Sequence, residues 1–445
     1  MASPHVRIAL LAALIAAFPV LAPAQAPATG TGPPSQAQAA PAPPGAAPAA
    51  TRAARIEAAR DAKASELRPE TVSGLERVLL QVKERKVLER LTYPSNGVGV
   101  GFGSMATGSG FAIGPRYLRD DLADGRLRLH ASAAISTRAW QKYVAGLTVP
   151  HLASDRLSVG VEAVRRDYRS LEFYGVGPDS AEGSRSTYRL RDTTLEATVA
   201  FQPIQYFRVG GSVGGLWTDI GAGRRSGLPS TDAAFTDSSA PGLGRQADYF
   251  VPAVFAQVDY RDNPAGPKSG GNYAFEHTWY SDRSLGDLGF RRWDVDLQQY
   301  VGFFNKTRRL ALRARFTMTD AGAGRRVPFY LQPFVGGSDD LRGFRPFRFT
   351  DRNAVVYNAE YRWEVFSGLD GALFLDAGKV APRGRRLNLS DLEISPGFGL
   401  RFNARNRTFI RLDVGFSDEG VGVWLKFNDA FLPRLFGAGT RQPRY

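Results

Sequence analysis

Between Tyr357 and Val365 the chain alternates, residue by residue, between two chemistries. Successive side chains of a strand point to opposite faces. Tyr357, Ala359, Tyr361, Trp363 and Val365 therefore share one side, and Asn358, Glu360, Arg362 and Glu364 share the other. The pattern recurs upstream. Leu310, Leu312, Ala314, Phe316 and Met318 alternate with Arg309, Arg313, Arg315, Thr317 and Thr319, and Trp293, Val295 and Leu297 alternate with Arg292, Asp294, Asp296 and Gln298. A soluble sandwich would bury the apolar wall against a second sheet. A membrane barrel turns it toward lipid and keeps the charges in its lumen, because a lipid-facing Arg costs about 2–4 kcal/mol at the bilayer midplane. Inward placement also sets the cations of 308–320 beside the anions of 290–304, a cross-strand arrangement that favours opposite charges.

Connection lengths decide between the two folds. Sixteen strand-like runs are legible between residues 98 and 430, among them 249–262 and 420–430. They average about 11 residues, the length a tilted strand needs to cross a bilayer. With the first run rising from the periplasm, the long loops 170–186, 218–248, 321–353 and 381–393 all fall outside. The turns 203–205, 305–307, 367–368 and 406–407 fall inside and are short. Outer-membrane barrels sort their connections in this way, whereas a soluble all-β domain has no reason to. The expected fold is all-β: a sixteen-stranded antiparallel transmembrane β-barrel over 95–431, a short N-terminal helical segment, and a C-terminal periplasmic tail at 432–445.

The N-terminus reads as that of an exported chain. Arg7 precedes an apolar run from Ile8 to Leu21, and Ala22-Pro23-Ala24 supplies a small-residue cleavage pattern, so 1–24 reads as a signal peptide. No later segment approaches the roughly 20 apolar residues of a spanning helix, so insertion must use strands. Cys is absent, which removes disulfide and thiolate chemistry. Residues 25–50 are almost wholly Ala, Pro, Gly, Gln and Thr and read as a disordered linker. Residues 51–94 read as helical, with Val72, Leu75, Leu79 and Val82 forming one apolar stripe. That segment either rests on the periplasmic rim or plugs the lumen.

The net charge of +14 raises nucleic acid as a partner. The arginines are instead spread along strands and loops, so a charged lumen and anionic head groups account for them better. The expected partners are outer-membrane lipid and lipopolysaccharide, with no nucleic acid. Of four histidines, His5 belongs to the signal, and His130, His151 and His277 lie on separate strands or turns with no G-x-S-x-G motif nearby. No metal-ligand spacing is present. No catalytic residue, cofactor or metal is expected.

Four short motifs remain. Leu341-Arg342-Gly343-Phe344 follows Gly336-Gly337, and Asn358-Ala359-Glu360-Tyr361-Arg362 and Phe374-Leu375-Asp376-Ala377-Gly378 come after it. Asp259-Tyr260-Arg261-Asp262-Asn263-Pro264, with Pro267 and Gly270, lies upstream. In this order they resemble the BamA/TamA family of outer-membrane barrels over roughly 95–431. The resemblance implies that the R-G-F loop folds into the lumen and that its arginine meets acidic residues of the inner wall. The implied luminal lock is Arg342, Gly343, Phe344, Glu360, Asp376 and Gly378. The implied periplasmic turn is Asp259, Arg261, Asp262, Pro264 and Gly270. Glu360 and Asp376 also fall on the face that alternation alone assigns to the lumen. Arg342 offers a planar five-donor fork suited to carboxylates, and Gly343 permits a tight turn or a close approach to the wall.

Better-known relatives carry periplasmic POTRA modules ahead of the barrel. Too little chain precedes Tyr93 for one, so a POTRA-less member is expected. The resemblance implies assistance in inserting or translocating proteins or other clients, through a seam between first and last strands that offers an edge to an incoming strand. Client proteins or a separately encoded periplasmic partner would then bind. Gly97, Gly99, Gly101, Gly103, Gly420 and Gly422 either weaken those seam strands or relieve crowding there. A passive outer-membrane pore and a structural surface-antigen barrel without transport remain open alternatives.

Overall fold

The computed structural model describes residues 97–382, 387–404 and 407–431, together with Ala58. The signal at 1–24, the linker at 25–50, the tail at 432–445 and, Ala58 apart, the segment at 51–94 lie outside the described residues.

Nineteen strands are described. They are β1 Gly97–Gly103, β2 Ala112–Leu122, β3 Leu127–Ser136, β4 Gln141–Leu152, β5 Leu157–Phe173, β6 Ser186–Ile204 and β7 Phe207–Ala222. After them come β8 Asp248–Phe250, β9 Ala253–Asp259, β10 Gly270–Asp282, β11 Phe290–Phe303 and β12 Arg308–Asp320. The remainder are β13 Phe334–Val335, β14 Phe349–Thr350, β15 Asn353–Phe366, β16 Leu369–Ala381, β17 Glu393–Ala404, β18 Arg407–Ser417 and β19 Gly420–Lys426. Seventeen form one sheet, and β13 and β14 pair separately inside a loop. The strand ladders are antiparallel and pass between neighbours in chain order, so most backbone groups of the inner strands find their partners in the wall.

The bounds differ from the sequence reading in three places. A single run was expected at 249–262. Pro252 has no N–H to give to a ladder, and the run splits into β8 and β9, both of which lie between β7 and β10. Strands β5, β6 and β7 rise beyond the expected ends, so loops 170–186 and 218–248 shrink to 174–185 and 223–247. Their upper turns carry outward Arg and Asp, which periodicity of apolar residues does not detect. The last strand was expected to run from 420 to 430 but stops at Lys426. From there the chain leaves the wall and turns into the lumen, where Arg362 donates to both oxygens of Asp429 at 2.8 and 2.7 Å. Phe431 is buried beside Tyr300 and Ala311 on the far inner wall.

The interior is layered. At the long-loop end, wall residues Tyr168, Tyr188, Leu190, Leu216 and Ile220 pack with Val327, Phe329, Tyr330 and Leu331 of loop 321–352 into the largest apolar cluster. Loops 223–247, 283–289 and 321–352 are tied by Arg245 on Asp287 (2.6 and 2.8 Å) and Arg326 on Asp237 (2.6 Å). Below this apolar mouth the inner wall is ionic. Arg313 donates to both oxygens of Asp296 on the neighbouring strand at 2.9 and 2.6 Å, and Arg309 donates to Asp370 at 2.6 Å.

Candidate functional site

Loop 321–352 reaches the ionic layer as a small hairpin. β13 and β14 pair through Phe334↔Thr350 and Val335↔Phe349, and the chain between them turns at Gly336 and Gly337 (φ +121° and +96°). Those dihedrals favour glycine. Leu341, Phe344, Phe349 and Val335 then pack on Ala354, Val356 and Val380 of the wall. This apolar contact fixes the height of the loop tip and thereby the position of Arg342.

Arg342 is 2% exposed, and its acidic partners Glu360 and Asp376 are fully buried. Its Nε and Nη2 donate to the two oxygens of Asp376, both at 2.8 Å, and its backbone N–H donates to Asp376 at 3.1 Å. Nη1 donates to Glu360 at 2.9 Å. The guanidinium carbon stands 3.3 Å from the centroid of the Phe374 ring. Asn358 donates to Asp376 and to the Asp340 carbonyl, both at 2.8 Å, which orients the carboxylate toward the fork.

The pair belongs to a larger lattice. Glu360 also accepts from Arg362 at 2.7 Å and Arg401 at 2.9 Å. Asp413 accepts from Arg401 at 2.5 Å and Arg411 at 2.9 Å and lies 3.6 Å from Arg342. With Asp429 on Arg362 and Asp339 on Arg411, four guanidinia (Arg342, Arg362, Arg401, Arg411) face five carboxylates (Asp339, Glu360, Asp376, Asp413, Asp429). A buried set of ions persists only when each charge has a partner, and here every member has at least one.

The backbone of the tip lies flush on the wall. A Cβ on Gly343 would come 2.5 Å from the Phe416 carbonyl carbon, and one on Gly415 would come 2.5 Å from that of Arg342. A Cβ on Gly422 would run into the Arg342 oxygen. A Cβ on Gly378 would stand 2.7 Å from the Val355 oxygen of β15 and 3.4 Å from the Val335 side chain of the hairpin. The Gly343 N–H donates to Ser395 at 2.6 Å, and its carbonyl accepts from Ser417 at 3.0 Å. Trp424 of β19 donates its indole N–H to the Arg342 carbonyl at 2.7 Å. Gly422 therefore makes room for the loop, which corresponds to the crowding reading of the seam glycines rather than to weakening alone.

The turn 260–269 is a separate cluster, and among the described residues no hydrogen bond or ion pair joins it to the lock. Arg261 donates to Asp259 at 2.8 and 2.6 Å and to the Pro264 carbonyl at 3.4 Å. Gly270 adopts a φ of +92°, and a Cβ there would collide with Tyr260 backbone. Asp262 accepts from the N–H groups of Asn263, Lys268 and Ser269 at 3.0, 3.0 and 3.2 Å, and from Lys306 at 3.0 Å. Partial burial pushes its carboxyl up, but the Lys268 N–H, the Lys306 ammonium and the Ser269 N–H outweigh that and bring it down to about 2.

The first and last strands of the sheet do not pair. β1 pairs with β2 and β19 with β18, and no ladder joins β19 to β1 among the described residues. They meet through side chains alone. Phe102 stands edge-on to Phe427 and Phe409, with centroids 5.3 and 5.9 Å away. Phe111 meets Phe427 at 5.6 Å, and Lys426 donates to Ser104 at 2.8 Å.

Sequence reasoning missed Arg401, Arg411, Asp413, Asp429 and Trp424. Alternation around outward Phe398 and Leu400 marks Arg401 as inward, and the same argument serves Arg411 and Asp413. Asp429 follows the last strand and carries no periodic signal.

A family model described as the Omp85 superfamily domain matches residues 127–424. Among solved structures, BamA from Haemophilus ducreyi lacking POTRA domains 1–3 is similar, with a TM-score of 0.56 at 15% identity, covering 74% of this chain and 69% of that one. CdiB from Escherichia coli gives 0.50 at 15% identity, covering 75% of this chain and 63% of its own. The match thus spans less than two thirds of CdiB, and at these identities it concerns the fold. No curated protein matches.

Proposed function

We propose a function from one premise: the chain belongs to the Omp85 superfamily, as a β-barrel of the bacterial outer membrane. In this reading the barrel assists insertion or translocation of client proteins, using the gap between β1 and β19 as the working edge. An extended client segment would add to the free edge as a further strand, with main-chain hydrogen bonds giving affinity. The observation that carries the reading is the unpaired seam, where β19 leaves the wall at Lys426 and the lower part of β18, Arg407–Ile410, has no partner from it. Val98, Val421 and Val423 stand 76%, 61% and 65% exposed along that edge.

A passive pore is less well supported, because an apolar cluster fills the long-loop mouth and loop 321–352 crosses the lumen. The test is site-specific photo-crosslinking in intact cells. A crosslinker at Val423 should capture client polypeptides, and one at Leu373, also on the exposed outer face but mid-wall, should not. Equal capture at both positions would sink the reading. Conductance of the purified barrel checks the alternative, with small or no steady current expected.

A further inference from the structure

We propose that the outward face of β5, β6 and β7 at the long-loop end binds a phosphorylated glycolipid of the outer leaflet, with phosphate held by Arg165 and Arg169. The inference is independent of the seam. It rests on three rows of residues that the strand registers place side by side.

The lowest row is Arg165↔Thr193↔Trp217, and the next is Asp167↔Arg191↔Asp219. Above them Arg189 lies opposite Gly221, and Arg169 falls in the register shift between Tyr168 and Leu171. All share the face of Val161, Leu195 and Val213, which are 45%, 47% and 51% exposed and turned to lipid. Charges on that face do not sit in hydrocarbon, where an Arg costs about 2–4 kcal/mol at the midplane and about 0–1 near the interface. The rows therefore mark where the acyl region ends, and Trp217 stands at the level of an interfacial aromatic girdle. The long-loop end of an outer-membrane barrel is extracellular, so the phosphates of the outer leaflet lie at this depth.

The patch has four guanidinia and two carboxylates. Arg189 donates to both oxygens of Asp167 at 2.8 and 2.5 Å, and Arg191 is paired with Asp219. Those pairs neutralise each other and fix two rows. Arg165 is left with only the Thr193 hydroxyl, at 3.2 Å, and Arg169 makes no ion pair among the described residues. Both are exposed. Two planar forks outside any close ion pair among the described residues, above an apolar wall fit for acyl chains, suit a phosphate-bearing lipid, since guanidinium binds phosphate bidentately. On the strands further round, Arg291 has Asp320 directly opposite.

The experiment uses the full-length purified barrel and native mass spectrometry with three probes: bis-phosphorylated lipid A, dephosphorylated lipid A and phosphatidylglycerol. Lipid A should bind most tightly. The Arg165→Gln/Arg169→Gln variant should lose about tenfold in lipid A affinity, as removal of charge-assisted hydrogen bonds predicts. Its heat-modifiability should be unchanged, because the two internal pairs remain. Unchanged affinity in that variant would overturn the proposal. Equal binding of dephosphorylated lipid A would overturn the phosphate contact, and phosphatidylglycerol binding as tightly as lipid A would reduce the patch to general attraction for anionic lipid.

Discussion

The wall from β11 to β18 and the seam between β1 and β19 are built from the same kind of strand but are held in opposite ways. β11 and β12 pair without a break from Arg291↔Asp320 to Phe303↔Arg308, and their inward faces are stitched by ion pairs and closed over by loop 321–352. At the seam, seven-residue strands end in contacts between phenylalanines. The wall is thus secured by directional bonds that fail only if a charge is stranded. The seam is held mainly by apolar contact, with the Lys426–Ser104 hydrogen bond as its one polar link among those described. Arg342 touches both regions, since its side chain is fixed to Asp376 and Glu360 of the wall while its carbonyl accepts from Trp424 of β19. The lock therefore ties the movable edge to the fixed wall.

The largest expected effect comes from breaking the wall. Arg342→Ala leaves Asp376 with Asn358 but no cation in a site with almost no solvent, while Glu360 keeps Arg362 and Arg401; removing one partner of a buried pair typically costs about 3–5 kcal/mol. The midpoint of heat-modifiability should fall steeply, and loop 321–352 should become protease-sensitive. Arg342→Lys should rescue only part, because an ammonium cannot span both acids as a fork does. An Arg342→Ala barrel with an unchanged midpoint would remove the contrast between wall and seam.

The next effect is on the seam itself. Phe427→Ala removes three edge-to-face contacts, each worth about 0.5–1.5 kcal/mol beyond burial. Expected are a smaller drop in midpoint than for Arg342→Ala, faster hydrogen exchange in Gly97–Gly103, and stronger client crosslinking from Val423. Loss of crosslinking would mean that the aromatic contact holds clients rather than closing the gap.

The wall was legible in the sequence and the seam was not, for a physical reason. A lipid-facing strand that carries charge must alternate, so the inward Glu360, Arg362, Arg313 and Asp296 could be read from parity, and loop 321–352 stood out by its length and its Arg342-Gly343-Phe344 tip. The early end of β19 at Lys426 goes with Asp429 meeting Arg362 of the inner wall, a contact with no local signature. The apolar mouth was hidden as well, because Tyr168, Leu190 and Leu216 are inward residues that happen to be hydrophobic, and alternation has nothing to register there.

Trp424→Phe tests the tie between the regions with a gentler change. It keeps the aromatic body and removes one indole N–H from the Arg342 carbonyl, a bond worth about 0.5–1.5 kcal/mol net. The wall should keep its midpoint within that margin, while hydrogen exchange of β19 rises. Equal exchange in β18 and β19 would show that the lock does not act on the edge.

The smallest effect belongs to the turn after β9, which serves as a control because it meets the wall only at the short-turn rim, through Gln299 and Lys306, and lies apart from the lock and the seam contacts. Asp262 is brought to about 2 by the Lys268 N–H, Lys306 and the Ser269 N–H, against the upward push of partial burial, from an ordinary value of 3.8. A carboxyl lowered in the folded state adds stability that is fully present above its ordinary value and is lost as pH falls toward the folded one. The midpoint should therefore be flat in Asp262 between neutral pH and about 4 and should decline below it. Asp262→Asn should lower the midpoint slightly at pH 7 and flatten the decline below pH 4. The group is solvent-exposed enough for screening to keep the shift well below that of Arg342→Ala. Client crosslinking at Val423 should not change in this variant. If it did, the turn and the seam would be coupled through the intervening wall, and the division into a fixed wall and a movable edge would have to be given up.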